Sequence, residues 1–245
     1  MNSRQKDIIS ITEAEGEVTI KELASRLEVS EMTIHRDLDY LQEQKYIFKK
    51  RGAAVFIDSS DRKSTAFYAE EKRRIGLKAA SLLEDGQSVI FDNSTTALEC
   101  AKFITPSQKH TFYTTNIETA QILSEYENSI LYCSGGYYFH ESNGFIGSQA
   151  EAFVSSVTAD ICFIGASGVS VERGITTPYP MHTSLQKAII ASAKTKILLC
   201  DHSKFGKAAM ETVASLADID IIVTDSGIPS QTFKTMQKYA KIIIA

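Results

Sequence analysis

From residue 87 to the end, seven short apolar runs alternate with amphipathic stretches, and this alternation limits the fold more than any other feature of the chain. The runs read SVIFD, TFYTT, SILYCS, DICFIGAS, KILLCD, DIIVTD and KIIIA, and helical spacing of apolar residues covers 95–104, 117–125, 148–157, 182–194 and 230–240. Short continuous apolar runs bounded by turn residues read as strands buried on both faces, and the helical stretches between them read as crossovers. The pattern predicts βαβ units, a mainly parallel sheet, and ligand binding outside the carboxyl ends of the strands.

The residues expected at those ends are small hydrogen-bond donors. They are Asp92, Asn93, Ser94, Thr95 and Thr96 after the first run; Thr114, Thr115 and Asn116 after the second; Ser134, Gly135 and Gly136 after the third; Gly165, Ala166, Ser167 and Gly168 after the fourth; and Asp201, His202, Ser203 and Lys204 after the fifth. One such loop does no more than cap a helix. Five at equivalent places point to an anion pocket, because helix N-termini present free N–H groups, hydroxyls add donors and glycine lets the backbone approach. Ser94, Thr95, Thr96, Ser167, Gly168 and Lys204 are read as the seat of a phosphate. Asp92 and Asp201 do not suit a phosphate and are read, with Thr115 and Asn116, as partners of sugar hydroxyls; Gly135 and Gly136 belong to the same effector site. The predicted ligand class is a phosphorylated polyol.

A second device stands at the other end of the chain. Residues 19–41, TIKELASRLEVSEMTIHRDLDYL, describe two short helices joined by a tight turn. Thr19 and Glu22 fit a capping box that starts a helix at Ile20. Leu23, Ala24 and Leu27 face inward, Glu28 and Val29 turn the chain, Ser30 caps the next helix, and Ile34, Leu38 and Leu41 form its buried stripe. The opposite face presents Glu31, Met32, Thr33, His35 and Arg36 near the helix N-terminus, where a helix-turn-helix protein meets base edges in the major groove. Residues 46–56, YIFKKRGAAVF, suit a hairpin wing with Lys49, Lys50 and Arg51 at its tip, and a helix over 4–15 completes a three-helix unit. Ser30, Glu31, Thr33, His35, Arg36, Lys49, Lys50 and Arg51 are the expected contacts to double-stranded operator DNA.

The 245-residue chain is 43% hydrophobic, enough for a small core and a larger one. A polar stretch at 58–64 marks the boundary, giving a DNA-binding domain at 1–57, a linker and opening helix at 58–74, and a sensor domain at 75–245. Residues 1–56 hold nine Lys/Arg against ten Asp/Glu, so DNA binding rests on local placement rather than a general basic patch. Net charge −4 excludes a polybasic binder. Cys100, Cys133, Cys162 and Cys200 stand singly in apolar runs and read as buried thiols. No apolar run is long enough to span a bilayer, and the expected location is the cytoplasm. The histidines are dispersed, so no metal, cofactor or catalytic residue is assigned. A single head makes too few contacts to select a site, so a homo-oligomer reading two half-sites is expected.

The run VSEMTIHRDLDYLQ with the basic segment after it resembles the N-terminal domain of the DeoR family of bacterial transcriptional regulators, whose pattern is VS.xTIRRDL and a later HGGA; the family Arg is His35 here and the second wing Gly is Ala53. The resemblance continues through the second half, where DNSTT, TTN, SGG, GASG and DHSKF stand for the family's D.GTT, TN, GG, GA.G and D.SKF. It implies a sensor domain similar to ribose-5-phosphate isomerase that binds phosphorylated sugars as effectors. Within the family, VSEMTI, EEKRR, FHESN and DHSKFGK look most like the deoxyribonucleoside regulator. That implies a repressor of sugar or deoxynucleoside catabolism genes controlled by deoxyribose-5-phosphate or a similar compound. In its second half the chain departs from the family in two places: Ser94 replaces the Gly of GTT, and the Glu and Lys of the helix after the fourth strand fall at His182 and Gln186, leaving Lys187 without a role. The alternative is a sugar-phosphate isomerase with an accessory DNA-binding domain. Such an enzyme needs a carboxylate base, and neither Asp92 nor Asp201 lies in a recognisable catalytic constellation.

Overall fold

The computed structural model describes residues 1–44, 46–50, 52–56 and 68–245. It divides the chain into two compact units, Met1–Phe67 and Tyr68–Ala245. The division falls inside the segment expected to link the domains, and the whole helix that follows belongs to the second unit. Residues 57–67, which include the expected polar boundary, lie outside the described residues.

In the first unit, α1 (Ser3–Glu15) begins at Asn2, whose side chain accepts the Gln5 N–H while Gln5 Oε1 accepts the Asn2 N–H. The short β1 (Glu17–Thr19) runs into α2 (Ile20–Arg26), started by the predicted capping box: Glu22 N donates to Thr19 Oγ1 at 3.2 Å and Thr19 N to Glu22 Oε2 at 3.1 Å. Glu28 turns the chain with φ 54°. Ser30 then caps α3 (Glu31–Glu43). The wing, β2 (Ile47–Lys50) and β3 (Ala53–Phe56), is antiparallel, and β3 also pairs with β1. Ile8, Leu23, Ile34, Leu38, Leu41 and Ile47 are fully buried between these elements. Asp37 is also buried: its Oδ2 accepts Arg4 Nε at 2.6 Å and its Oδ1 accepts Gln5 Nε2 at 2.9 Å, fastening α1 to α3.

In chain order the second unit comprises α4 (Ala69–Ala80), β4 (Ser88–Phe91), α5 (Thr95–Ala101), β5 (Thr111–Thr114), α6 (Ile117–Leu123), β6 (Ile130–Cys133), β7 (Tyr137–Phe139), β8 (Gly144–Ile146), α7 (Ser148–Ser155), β9 (Ala159–Ile164), β10 (Gly168–Ser170), β11 (Gly174–Thr177), α8 (Pro180–Ala191), β12 (Ala193–Leu199), β13 (Glu211–Ala214), β14 (Ile221–Thr224), α9 (Ser230–Met236) and β15 (Lys241–Ile244). Seven strands form one parallel sheet in the order β15-β14-β12-β9-β4-β5-β6. These are the seven apolar runs of the sequence, in the predicted mainly parallel arrangement. Strand order reverses between β4 and β9, and in open sheets that reversal opens a crevice at the strand ends.

Alternation along the strands divides the core into two layers. Val89, Phe91, Ile161, Phe163, Ile197 and Leu199 meet Ile75 and Ala79 of α4, Ala97 and Cys100 of α5, and Leu123 of α6. Ile90, Cys162, Ile164, Leu198 and Cys200 meet Ala150 and Val154 of α7, Leu185 and Ile189 of α8, and Met236 of α9. In this unit two features were not read from the sequence, the β7–β8 hairpin and the small antiparallel sheet β10-β11-β13, and in the first unit β1 was not. The expectation of buried cysteines fails at Cys133, which is exposed because β6 is the sheet edge. No helix among the described residues is long and apolar enough to cross a membrane.

Candidate functional site

The N-terminal face of α3 carries the residues read as DNA contacts. Glu31, Met32 and Arg36 are exposed, and Thr33 and His35 are half-buried. Ser30 has a structural duty as well: its Oγ accepts the Thr33 N–H at 3.2 Å and lies 2.9 Å from Thr33 Oγ1. Lys49 is not at the wing tip. It sits in β2, where its ammonium pairs with Asp39 of α3 and its N–H donates to Gln42 Oε1 at 2.9 Å. Lys50 is placed in β2 by its backbone alone, and Arg51 lies outside the described residues.

At the switch point of the sheet, Asp92 is almost fully buried. Its Oδ1 accepts the Ser94 N–H at 2.8 Å and its Oδ2 accepts the Gly165 N–H, also at 2.8 Å, so one carboxylate fixes the loops after β4 and β9 side by side. Burial pushes the Asp92 carboxyl above its ordinary range, opposed by these N–H groups. With both oxygens engaged, Asp92 is poorly placed to act as a general base. Ser94 caps α5, its Oγ accepting the Ala97 N–H at 3.2 Å, and packs so closely on Gly165 that a Cβ there would lie 2.3 Å from the Ser94 Cβ. Thr95 and Thr96 form the first turn of α5, Thr95 half-buried and Thr96 buried. Gln186 of α8 completes this group, its Nε2 donating to Gly165 O at 3.3 Å and, more distantly, to Asp92 Oδ2 at 3.5 Å.

Asp201 points the other way. Cys200 belongs to the layer beneath α8, so Asp201 next to it turns toward α4. There its charge acts on Lys72, a buried lysine that Lys204 also faces. Burial pushes the Lys72 ammonium down to about 8. Asp201 Oδ1 accepts the Ser203 N–H at 3.0 Å, while Oδ2 is buried without a partner among the described residues. The two carboxylates read as one sugar-facing set thus lie toward opposite faces of the sheet. Lys72 went unread in the sequence, although it stands one turn before Ile75 in the apolar stripe of α4.

The remaining strand-end residues divide further. Thr115 Oγ1 donates to Asn93 Oδ1 at 2.5 Å. The Asn116 side chain is used on both sides, capping α6 through the Thr119 N–H at 2.8 Å and donating to Ser142 O at 2.9 Å. Gly135 and Gly136 follow the edge strand and lead into the hairpin, Gly136 with φ 134°. Ser167 is exposed, its N–H bonded to Thr176 O at 3.1 Å, and Gly168 is buried. Lys187 is exposed on α8, whereas Gln186 faces inward. Among the described residues no group of His, Cys, Asp or Glu could hold a metal ion.

A three-helix head with a strand wing, followed by an α/β unit whose parallel sheet reverses strand order at the Asp92 loop, defines a helix-turn-helix transcriptional regulator carrying a sensor domain. The chain matches the DeoR-like helix-turn-helix domain over residues 4–60 and the DeoR C terminal sensor domain over 68–226. It belongs to the DeoR family. Among its relatives, the HTH-type transcriptional repressor GlcR of Bacillus subtilis is 36% identical over 233 residues, covering 92% of this chain and 88% of that protein. The glycerol-3-phosphate regulon repressor of Escherichia coli is 30% identical over 239 residues, covering 95% and 94%. Among solved structures, ribose 5-phosphate isomerase A of Methanocaldococcus jannaschii matches 56% of this chain and 55% of its own at 18% identity, with a TM-score of 0.42.

Proposed function

We propose that this regulator is a repressor of sugar or deoxynucleoside catabolism genes whose hold on its operator is set by a phosphorylated sugar bound at the strand ends. The observation that carries the reading is the Asp92 clamp: it holds the first turn of α5 and the Gly165 loop together at the switch point, where ligands enter open α/β sheets. The phosphate sits at Ser94, Thr95 and Thr96, with Ser167, Gly168 and Lys204 as further donors. The sugar extends toward Thr115, Asn116, Gly135 and Gly136 on the side of the sheet where Asp92 fixes the loops, and Asp201, turned to the other face, stands with Lys72 and Lys204. Deoxyribose-5-phosphate or a close pentose phosphate is the effector, and the names of the two relatives, one a repressor and one tied to a phosphorylated polyol, agree with that class.

The head reads DNA through Ser30, Glu31, Thr33, His35 and Arg36, with Lys49, Lys50 and Arg51 on phosphates. The protein acts as a homo-oligomer, because two heads reading two half-sites add their binding free energies. It is a switch and not an enzyme: a sensor that consumed its effector would erase its own signal. A thermal-shift panel of pentose and hexose phosphates identifies the effector, since a ligand of the native state raises stability according to its affinity and concentration. Calorimetric titration with and without operator DNA then tests the coupling. A tenfold weakening of DNA binding by ligand requires a tenfold weakening of ligand binding by DNA, about 1.4 kcal/mol, and equal ligand affinity in both titrations overturns the switch.

A further inference from the structure

On the α8 side of the switch point, two polar atoms have been taken out of water and have no partner among the described residues. His182 and Gln186 stand four residues apart on α8 and so share one face of the helix. Both partners of the Gln186 amide nitrogen, Gly165 O and Asp92 Oδ2, are acceptors, which fixes the orientation of the amide. Gln186 Oε1 is therefore the free acceptor, and it is buried with no partner among the described residues. His182 Nε2 is likewise buried and unpartnered. Its ring meets Phe139 edge to face, with centroids 5.1 Å apart, and lies tilted against Tyr179 at 5.4 Å.

Buried polar groups in native proteins are nearly always satisfied, so two orphans on one helix face, beside the switch point where open sheets bind ligands, mark where a ligand supplies the missing partner. We infer that His182 and Gln186 form an uncharged reader of sugar hydroxyls, deepening the effector reading above, on which it rests. Gln186 Oε1 accepts from one hydroxyl, and His182 Nε2 bonds a second as donor or acceptor according to its tautomer. Burial pushes the His182 imidazolium down to about 4, which keeps the ring neutral near pH 7. The pair therefore offers no charge to an acidic or amino group, and the part of the effector against α8 is the neutral, hydroxyl-bearing end away from the phosphate. Loss of either side chain leaves a ligand hydroxyl buried and unpaired, which is the most discriminating kind of mismatch available to a neutral site.

Isothermal titration of the full-length protein with deoxyribose-5-phosphate, ribose-5-phosphate, glucose-6-phosphate and inorganic phosphate tests this in the wild type and in Gln186→Leu and His182→Phe. The phenylalanine keeps the ring against Phe139 and Tyr179 while removing both nitrogens. Thermal unfolding confirms that each variant folds, and Gln186→Met replaces the leucine variant if that one does not unfold cooperatively. The expected result is a loss of about tenfold in affinity for the sugar phosphate the wild type binds best, with the response to inorganic phosphate left as in the wild type. Unchanged sugar-phosphate affinity in both variants overturns the inference and leaves the effector reading standing. An equal loss for inorganic phosphate also overturns it, because the pair would then be supporting the phosphate seat. If the wild type binds none of the sugar phosphates, the effector reading fails and this inference fails with it.

Discussion

Asp92 Oδ2 accepts the Gly165 N–H at 2.8 Å across 73 residues of chain, while its other oxygen accepts the Ser94 N–H. One buried carboxylate thus determines the spacing of two loops that belong to different βαβ units. Changing Asp92→Asn turns one acceptor into a donor facing a backbone N–H. We expect a cost of about 1–3 kcal/mol in denaturant unfolding and loss of the effector response. A variant of wild-type stability with a normal response would show that the clamp is dispensable.

Gly165 and Ser94 are coupled sterically. A Cβ on Gly165 would lie 2.3 Å from the Ser94 Cβ and 2.7 Å from its Oγ, so Gly165→Ala should destabilise by about 1–3 kcal/mol. Ser94→Gly removes the obstructing atoms at a cost of only a few tenths of a kcal/mol in helix capping, by about the usual margin for glycine at that position. The double variant Ser94→Gly/Gly165→Ala should recover most of the loss. Simple additivity of the two single changes would exclude the clash.

His182 makes stability depend on pH. Its folded pKa of about 4 lies below the ordinary 6.5, so the unfolded chain takes up a proton that the folded chain refuses. This contribution is fully present above pH 6.5, falls as the pH drops through the window from 6.5 to about 4, and is gone below it. At about 1.4 kcal/mol per unit, the difference amounts to at most about 3.5 kcal/mol. Unfolding free energies of the wild type and His182→Phe across that window should show a shallower slope for the variant, and parallel curves would contradict the assignment.

The buried Asp37 carboxylate joins Arg4 and Gln5 of α1 to α3. Asp37→Ala leaves the buried Gln5 amide without its acceptor, at about 1–3 kcal/mol. Hydrogen exchange at the amides of α1 and α3 should accelerate, whereas the parallel sheet keeps its protection. Unaltered protection in α1 would show that apolar packing alone holds the helices.

Arg36 is exposed, whereas Lys49 is paired with Asp39. Arg36→Ala should therefore flatten the dependence of log operator affinity on log salt by about 0.9 for each DNA phosphate it no longer neutralises, and Lys49→Ala should flatten it less. Equal changes in slope would mean that DNA displaces Asp39 from Lys49 at no detectable cost.

Local signals carried much of this architecture. The capping box of Thr19 and Glu22, the Ser30 cap and the stripe Ile34, Leu38, Leu41 each lie within a few residues, and the structure places all of them as their spacing implies. The seven strands were legible because each carries a continuous apolar run; the central ones need it to be buried on both faces, while the edge strands β6 and β15 carry one although largely exposed. Strands β7, β8, β10, β11 and β13 were not, because none carries a continuous aliphatic run: β7, β8, β10 and β11 are largely Gly, Ser, Thr or aromatic residues, and β13 mixes Glu and Thr with Val and Ala, so their pairing makes them strands. Tertiary structure alone decided the chemistry of the site. The sequence places Asp92 and Asp201 in matching strand-end loops; register turns Asp92 toward α8 and Asp201 toward α4. It also buries Lys72 and leaves Gln186 Oε1 and His182 Nε2 without partners among the described residues. Spacing along a chain determines which residues share a helix or strand, but burial and hydrogen-bond satisfaction depend on which atoms from remote segments fill the remaining space.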